Sequence, residues 1–367
     1  MENIENYNYE EDFYKQYEKE KEKYKRPNIL ICGYTGSGKT SIIQSLLGED
    51  LVPADKIGAG LPVTQDYEMY ENELVRIWDS QGLEPDKGEY EFIERTKKFI
   101  SEIQNRPNVD DHIHIFWYVV SAGVSKVTPT DLKIMEIFPR ESRIVIISKK
   151  DIARQNTIKG MKNVLINGNI PENKIICTTD IEAGREGIKE LYELSLKILP
   201  DAYKTAFEEA QRIDIEKSVE KIKEKKASAL GIIGTATTGA ALAAANPIPL
   251  SDAAIITPIQ IAMIAGLAAL YKLNKEQLQH LALPLVARTV GVITAGGLAK
   301  LIPVAGNILN ASIAGVITGA LGWFVQDQFE KIAIAKVKGE TPPIINFDPE
   351  IFMAFFKQYQ KNNSNNK

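Results

Sequence analysis

The chain is poor in the residues that stabilise secreted or metal-rich proteins. Its 367 residues include only two cysteines and three histidines. Cys32 and Cys177 each lie in an apolar, strand-like segment, so no disulfide framework is expected. The first 27 residues are polar and rich in Glu, Lys and Tyr, and they lack the apolar core of a secretory signal. These absences favour a reducing, cytoplasmic setting.

An excess of charge of one sign is also missing. Lys and Arg together number 44 and Asp and Glu 48, which gives a formal net charge of −4. A protein that binds nucleic acid usually carries a clustered positive excess. We therefore expect no nucleic-acid partner.

Charge of either sign is scarce in one long part of the chain. The stretches 227–251 and 301–326 contain no charged residue, and each exceeds the roughly 20 residues that span a bilayer. Between residues 228 and 325 the charged residues are Asp252, Lys272, Lys275, Glu276, Arg288 and Lys300.

These changes in composition divide the chain into regions. We predict a charged N-terminal helix or tail (1–27), an α/β domain (28–200), a linker helix (201–227), an apolar domain of helical hairpins (228–335), and a short helix with a disordered tail (336–367). The N-terminal helix is expected to be largely solvated. The two hairpins are inferred from a repeat in which 248–266 resembles 302–320, each turning near an Ile-Pro pair.

The region 28–200 alternates β-rich runs with longer amphipathic ones. This pattern predicts a mostly parallel six-stranded sheet with helices on both faces. The expected strands are residues 28–32, 66–72, 73–79, 112–120, 143–148 and 174–179.

A glycine-rich loop follows the first expected strand. GYTGSGKT matches the eight-residue phosphate loop in full and leads into an apolar, helix-like run. Backbone N–H groups and the helix N-terminus would hold the phosphates, Lys39 would bridge the β- and γ-phosphates, and the Thr40 hydroxyl would bind Mg²⁺. The residues expected to contact nucleotide here are Gly33, Gly36, Ser37, Gly38, Lys39, Thr40 and Ser41.

Two later segments add a magnesium and γ-phosphate site. In DSQG, Asp79 ends a strand and would hold Mg²⁺ through water, while the Gly82 N–H would sense the γ-phosphate. Between the loop and this motif, Thr64 is expected to complete the Mg²⁺ shell from a mobile switch segment. We expect Lys39, Thr64 and Gly82 to carry the catalytic role.

A third segment selects the base. In ISKKD, Asp151 can accept hydrogen bonds from the guanine N1–H and amine, and the stem of Lys149 can lie along the ring. Ser148 stands where Asn or Thr is usual, which leaves the tightness of guanine selection open. Thr178, after the last strand, occupies the place of a loop that contacts the guanine oxygen through its backbone. An ATPase is the minor alternative.

Together these segments resemble known proteins. Residues 28–200 resemble a Ras-type GTPase of the Era-like bacterial group, and the phosphate loop is also similar to that of immunity-related GTPases. The segment ALAAANPIPLSDAAIITPIQIAMIAGLAALY resembles the helical domain of YcjF-like bacterial membrane proteins. The resemblance implies a GTPase that uses GTP, GDP and Mg²⁺.

One position departs from the Ras-type pattern. Leu83 stands where a glutamine would orient the attacking water, and an apolar side chain cannot do this. Gln81 lies within the motif, where a structural role is expected. We therefore predict slow intrinsic hydrolysis, accelerated by homodimerisation, an effector protein or a residue placed from elsewhere.

The apolar domain admits two interpretations. In the first, a GTP-dependent switch uses it at a membrane surface, at the inner face of the cytoplasmic membrane; Gly315 and Gly319, four residues apart, suit close helix packing in lipid. In the second, a soluble GTPase uses an Ala/Gly-rich helical bundle to bind a protein or ribosomal partner. The scarcity of clustered cations ranks the second lower.

Overall fold

Apolar strands pair into one mostly parallel sheet in the computed structural model of the protein. The structure describes residues 8–48, 51, 61–64, 67–80, 88–179, 184–244, 252–287, 311–345 and 349–364. The strands are β1 (Asn28–Gly33), β2 (Leu61–Thr64), β3 (Tyr67–Glu71), β4 (Arg76–Ser80), β5 (Ile115–Ser121), β6 (Arg143–Ser148) and β7 (Ile175–Cys177). All six expected strands are present, and the short β2 extends the sheet by one.

The sheet has the order β2-β3-β4-β1-β5-β6-β7. β1 is central and pairs in parallel with β4 and β5, while β6 and β7 continue the parallel ladder beyond β5. β2, β3 and β4 are antiparallel neighbours. The carboxyl ends of five parallel strands therefore meet at one edge, where open α/β sheets bind ligands.

Helices cover both faces of the sheet. Along β1, Ile29 and Ile31 pack into one apolar cluster and Leu30 and Cys32 into another, as expected for a strand buried on both sides. The α-helices of this part are α1 (Tyr9–Lys21), α2 (Lys39–Leu47), α3 (Glu89–Gln104), α4 (Pro129–Ile137), α5 (Gln155–Asn167), α6 (Ile188–Ile198), α7 (Asp201–Ala210) and α8 (Ile215–Glu224), of which α1 belongs to the other unit described below.

The segment expected to form one linker helix is interrupted. α7 ends at Ala210 and α8 begins at Ile215. The buried Gln211 explains the break, since its Oε1 accepts hydrogen bonds from the backbone N–H groups of Ile213 and Asp214. Its Nε2 donates to the Asp214 carbonyl and to Ser218 Oγ. A side chain that replaces helical backbone hydrogen bonds in this way ends one helix and starts the next.

The chain divides into two compact units, residues 25–218 and residues 1–24 with 219–367. The second unit is helical among its described residues. It contains α1, the end of α8, α9 (Lys226–Ala244), α10 (Asp252–Leu270), α11 (Lys275–Gln277) with a π-helical turn at Leu278–Ala282, α12 (Ala311–Lys338) and α13 (Pro349–Ser364). The finer domain boundaries stay predictions, and the Ile-Pro pairs at 248–249 and 302–303 lie outside the described residues.

The N-terminal helix α1 is not a solvated lead-in. Phe13 and Tyr17 are buried in the core of the helical unit, and the Tyr17 hydroxyl donates to the Leu273 carbonyl at 2.7 Å. The charged residues of α1 lie on its solvent side. They dominate the composition of this segment, so composition alone does not predict the short buried apolar stripe. α13 is likewise longer than expected and includes residues 361–364, which the sequence assigns to a disordered tail.

Glycines on α12 allow close packing within the helical unit. A Cβ at Gly319 would lie 2.3 Å from the Tyr359 hydroxyl, and one at Gly322 would lie 2.7 Å from Ile233 Cγ1. Small residues at these positions therefore serve contacts with α13 and α9.

One helical stretch among the described residues is long and apolar enough to cross a bilayer. This stretch is Ile215–Ala244, which covers α8 and α9. Only 22% of an apolar 18-residue window within it is buried. A single such helix is weak evidence for a membrane span, because the core helix of a water-soluble protein can have the same length and composition.

The burial of α1 yields a stability prediction. Phe13→Ala removes a fully buried ring and is expected to lower the free energy of unfolding by ~3–5 kcal/mol. Lys15→Ala, at an exposed position of the same helix, should change it by no more than ~0.5 kcal/mol. Urea unfolding followed by circular dichroism measures both, and equal effects of the two variants would contradict the packing of α1.

Candidate nucleotide-binding site

The phosphate loop connects β1 to α2 at the ligand-binding edge of the sheet. Gly33 ends β1 so close to β5 that an added Cβ would lie 2.4 Å from the Val119 carbonyl oxygen. Gly38 precedes α2 with φ +91°, a backbone conformation that favours glycine. Two glycines of the motif thus coincide with a close backbone approach, at Gly33, and with a left-handed conformation, at Gly38.

The N-terminus of α2 is a candidate anion site. Gly38 supplies no side-chain cap, so the first N–H groups of this nine-residue helix keep their capacity to bind a ligand. Thr40 and Ser41 lie half-buried in this first turn. The Ser37 hydroxyl is buried with no hydrogen-bond partner among the described residues. A phosphate group would satisfy these donors.

Lys39 is folded onto its own loop. Its side chain is only 8% exposed, and Nζ donates to the carbonyl oxygens of Gly33 at 3.1 Å and Tyr34 at 3.4 Å. A buried ammonium held by carbonyl oxygens keeps its charge directed at the loop. This position suits the phosphate-bridging role expected from the sequence.

Asp79 lies on β4 beside β1, paired in register with Ile31. Burial raises the pKa of its carboxyl to about 7, the nearby Lys39 ammonium opposes this rise, and the Glu68 carboxylate adds to it. Asp79 Oδ1 is buried and has no hydrogen-bond partner among the described residues. An orphaned carboxylate oxygen at this edge, near a lysine, fits a Mg²⁺ site that includes the Thr40 hydroxyl.

The other switch residues are only partly described. Thr64 ends β2, and its backbone pairs with Tyr67 of β3. Gly82 lies outside the described residues, as do Gln81 and Leu83. Within the described residues, no group of three or more His, Cys, Asp or Glu side chains forms a metal cluster. Oxygen ligands from phosphate and hydroxyl groups would have to complete the Mg²⁺ shell.

The segment expected to read the base is bonded directly to the phosphate loop. Ser148 Oγ donates to the Ser37 carbonyl at 2.5 Å, and Lys149 Nζ donates to the Gly36 carbonyl at 2.8 Å. Ser148, though shorter than the usual Asn, therefore makes a cross-loop contact. Lys149 adopts φ +55°, which turns the chain at the edge of the sheet.

A third loop supports the base-reading segment. The Lys150 N–H donates to the Thr178 carbonyl at 3.0 Å, and Lys150 Nζ pairs with Glu186 at 2.9 Å. Asp151 follows in a short 3₁₀ turn and is exposed. Sequence reasoning did not identify Glu186, because no local pattern links it to a residue 36 positions earlier.

These segments enclose one cleft. The structure brings Gly38, Ser41, Ser148, Lys149 and Thr178, all expected from the sequence, to its wall. Ile42, Ser45, Thr179 and Ile188 line it as well, and Asp151 is not part of the lining.

Two parts of the chain match protein-family models. Residues 28–150 match the family model described as 50S ribosome-binding GTPase. Residues 209–326 match the model of a domain of unknown function, DUF697. The chain thus carries a GTPase-family domain followed by a C-terminal DUF697 domain. This confirms the resemblance to a Ras-type GTPase domain joined to the YcjF-like helical domain, and the expected fold class with it.

The chain is also similar to solved structures. Aquifex aeolicus Era bound to GDP·AlF4⁻ matches at 18% identity over 48% of this chain and 58% of its own, with a TM-score of 0.33. Toc33 from Arabidopsis thaliana matches at 17% identity over 54% of this chain and 91% of its own, with a TM-score of 0.34. A bacterial selenocysteine-specific elongation factor matches at 18% identity over 48% of this chain and 28% of its own, with a TM-score of 0.33. The chain thus spans less than two thirds of the Era and elongation-factor chains. No curated protein matches the sequence.

The hydrogen bond from Ser148 to the phosphate loop predicts how substitutions of Ser148 change the affinity for GDP. Ser148→Ala leaves the Ser37 carbonyl without this donor, so GDP affinity should fall about tenfold. Ser148→Asn restores a donor and should stay within about twofold of the wild type. Fluorescent-GDP titration measures both; an unchanged affinity in Ser148→Ala would show that the contact is dispensable.

The raised pKa of Asp79 predicts a pH-dependent Mg²⁺ affinity. A carboxyl with a pKa near 7 is protonated below that pH, and only the carboxylate binds Mg²⁺. The apparent Mg²⁺ affinity of the GDP complex should therefore be full above pH 7 and fall roughly tenfold per pH unit below it. Mg²⁺ titrations between pH 8 and 5.5 test this. Asp79→Asn cannot lose a proton at this position, so it controls for protonation of the nucleotide phosphates. An equally steep fall of Mg²⁺ affinity with pH in this variant would contradict the assignment of Asp79 as the titrating group.

Proposed function

We propose that the GTPase binds GTP with Mg²⁺, hydrolyses it slowly, and couples its nucleotide state to a helical domain that associates with a membrane surface. The pair of hydrogen bonds from Ser148 and Lys149 to the phosphate loop is the main support for the proposed guanine-nucleotide binding. It ties the residues that would read guanine to the residues that would hold the phosphates, so base and phosphate recognition depend on each other.

Individual residues have distinct roles in this proposal. Lys39 and the N–H groups at the start of α2 hold the phosphates, and Asp151 accepts the guanine N–H donors. Thr40, Thr64 and Asp79 would hold Mg²⁺, which when bound neutralises charge on the β- and γ-phosphates. Gly82 would report the γ-phosphate through its N–H.

Slow hydrolysis follows from the side chain after Gly82. Leu83 offers no hydrogen bond to an attacking water, so the chain itself lacks the usual orienting amide at that position. A second copy or an effector protein that brings a polar side chain to the γ-phosphate would raise the rate.

The membrane part is supported by the exposed face of α9. Leu230 and Leu242 are 42% and 70% exposed on a helix that carries no charge after Lys226. On the same helix the exposed Thr235 and Thr238 hydroxyls donate to the carbonyl oxygens of Gly231 at 3.0 Å and Gly234 at 2.9 Å. Hydroxyls satisfied within the helix need no water, which suits contact with lipid.

A second function is favoured by the matched family description. A 50S ribosome-binding GTPase acts at a ribosome, and the helical domain would then contact protein or RNA instead of lipid. The uncharged face of α9 lacks the basic residues that an RNA surface requires, so this alternative ranks lower.

Liposome flotation of paired variants tests the membrane assignment. The wild type should float with acidic vesicles more in one guanine-nucleotide state than in the other, and Leu242→Glu should weaken flotation about tenfold because a charge must enter lipid. Ile344→Glu, at a residue 87% exposed outside α9, should leave it unchanged.

Two outcomes would contradict the proposal in different ways. Absence of flotation in both GDP and GTP-analogue states would exclude the membrane function and leave the ribosomal one. An equal response to adenine and guanine nucleotides would contradict the role of Asp151.

A further inference from the structure

Glu186 makes three hydrogen-bond contacts beside the segment that is expected to read the base. Its backbone N–H donates to Thr179 Oγ1 at 2.9 Å, and its carbonyl oxygen accepts from the Thr179 N–H at 3.2 Å. Its carboxylate accepts a hydrogen bond from Lys150 Nζ at 2.9 Å. Because the Lys150 N–H also donates to the Thr178 carbonyl, these four residues form a closed ring of contacts between the segments that follow β6 and β7.

The backbone of this ring is anchored to the sheet. Gly187, which follows Glu186, has φ +78° and leaves no room for a Cβ beside the Cys177 carbonyl oxygen at the end of β7. The Thr178 N–H donates to the Ile147 carbonyl of β6 at 2.8 Å. Glu186 therefore belongs to a stretch of backbone that lies directly against the ends of two strands.

The short turn that carries Asp151 depends on contacts from outside itself. Its internal backbone hydrogen bonds, donated by the N–H groups of Ile152 and Ala153, are both 3.3 Å long, which is weak for bonds of this kind. The side chain of Lys149 is tied to the phosphate loop, and that of Lys150 is tied to the ring. These two lysines directly precede Asp151, so their contacts limit where its carboxylate can lie.

We propose that Glu186 is a positioning residue that, through Lys150, holds the Asp151 carboxylate where it accepts both guanine donors, and so favours guanine over bases that lack the exocyclic amine. The inference rests on the proposed role of Asp151. A carboxylate that accepts two donors at once needs a more exact position than one that accepts a single donor. Loss of the Glu186 contact therefore affects guanine more than hypoxanthine, which has the N1–H but no exocyclic amine.

The test compares affinities for GDP and for inosine diphosphate (IDP), whose base is hypoxanthine, both with Mg²⁺. Glu186→Ala should weaken GDP binding about threefold, as expected for an exposed ion pair, and change IDP affinity by less than about 1.5-fold. Glu94→Ala is the matched control, because Glu94 pairs with Lys97 at the same 2.9 Å and both side chains are exposed. This control should leave both affinities unchanged.

Reversal of the pair separates the contact from its individual side chains. Lys150→Glu alone should lower the ratio of GDP to IDP affinity, because two like charges then face each other. The double variant Lys150→Glu with Glu186→Lys should restore the ratio. Equal losses of GDP and IDP affinity in Glu186→Ala would show a merely structural role and overturn the proposal. Unchanged affinities, or a reversed pair that recovers nothing, would overturn it as well.

A separate variant tests the underlying base recognition. Asp151→Asn replaces one acceptor oxygen by an amide nitrogen, which cannot accept a guanine donor, so the ratio of GDP to IDP affinity should fall further than in Glu186→Ala. If Asp151→Asn leaves the ratio unchanged, the proposed role of Asp151 is wrong. If it lowers the ratio and Glu186→Ala does not, base recognition by Asp151 stands and only the role of Glu186 fails.

Discussion

The close approach of β1 and β5 at their carboxyl ends is the constraint on which the nucleotide site depends. At Gly33 no side chain fits against the Val119 carbonyl, so glycine allows β1 to end this close to β5, and α2 starts six residues later. The loop between β1 and α2 places the Ser37 carbonyl where Ser148, at the end of β6, can donate to it. The candidate phosphate and base segments thereby lie at the ends of β1 and β6, on either side of β5, and a hydrogen bond joins them.

The site contains buried polar groups that the described residues do not satisfy. Asp79 Oδ1 and Ser37 Oγ have no hydrogen-bond partner among the described residues, and Lys39 is held only by carbonyl oxygens. Burying such groups costs free energy, which would be recovered if an anion and a metal ion supplied the missing partners. The raised pKa of Asp79 has the same origin. Ligand binding is therefore coupled to the stability of this edge of the sheet.

Sequence reasoning succeeded where a local pattern has a single structural meaning. The strand positions and the phosphate loop follow from apolar runs and glycine spacing, and Gly38, Ser148 and Thr178 line one cleft, while their contacts with a nucleotide stay predictions. It failed where the decisive contact joins residues far apart in the chain. Gln211 interrupts the expected linker helix through bonds specific to its own loop, and the contact of Glu186 with Lys150 has no sequence signature.

The helical unit shows how one composition can satisfy two requirements. On α12, Gly319 and Gly322 lie against Tyr359 and Ile233, so these small residues are needed for a packed core. On α9, the exposed leucines and the internally bonded threonines are not needed for that core. A helix that contributed only to packing would be expected to carry charged side chains on its outer face, since these are cheap in water. After Lys226 the exposed face of α9 carries no such side chain, which packing leaves unexplained and which the proposed contact with lipid would explain.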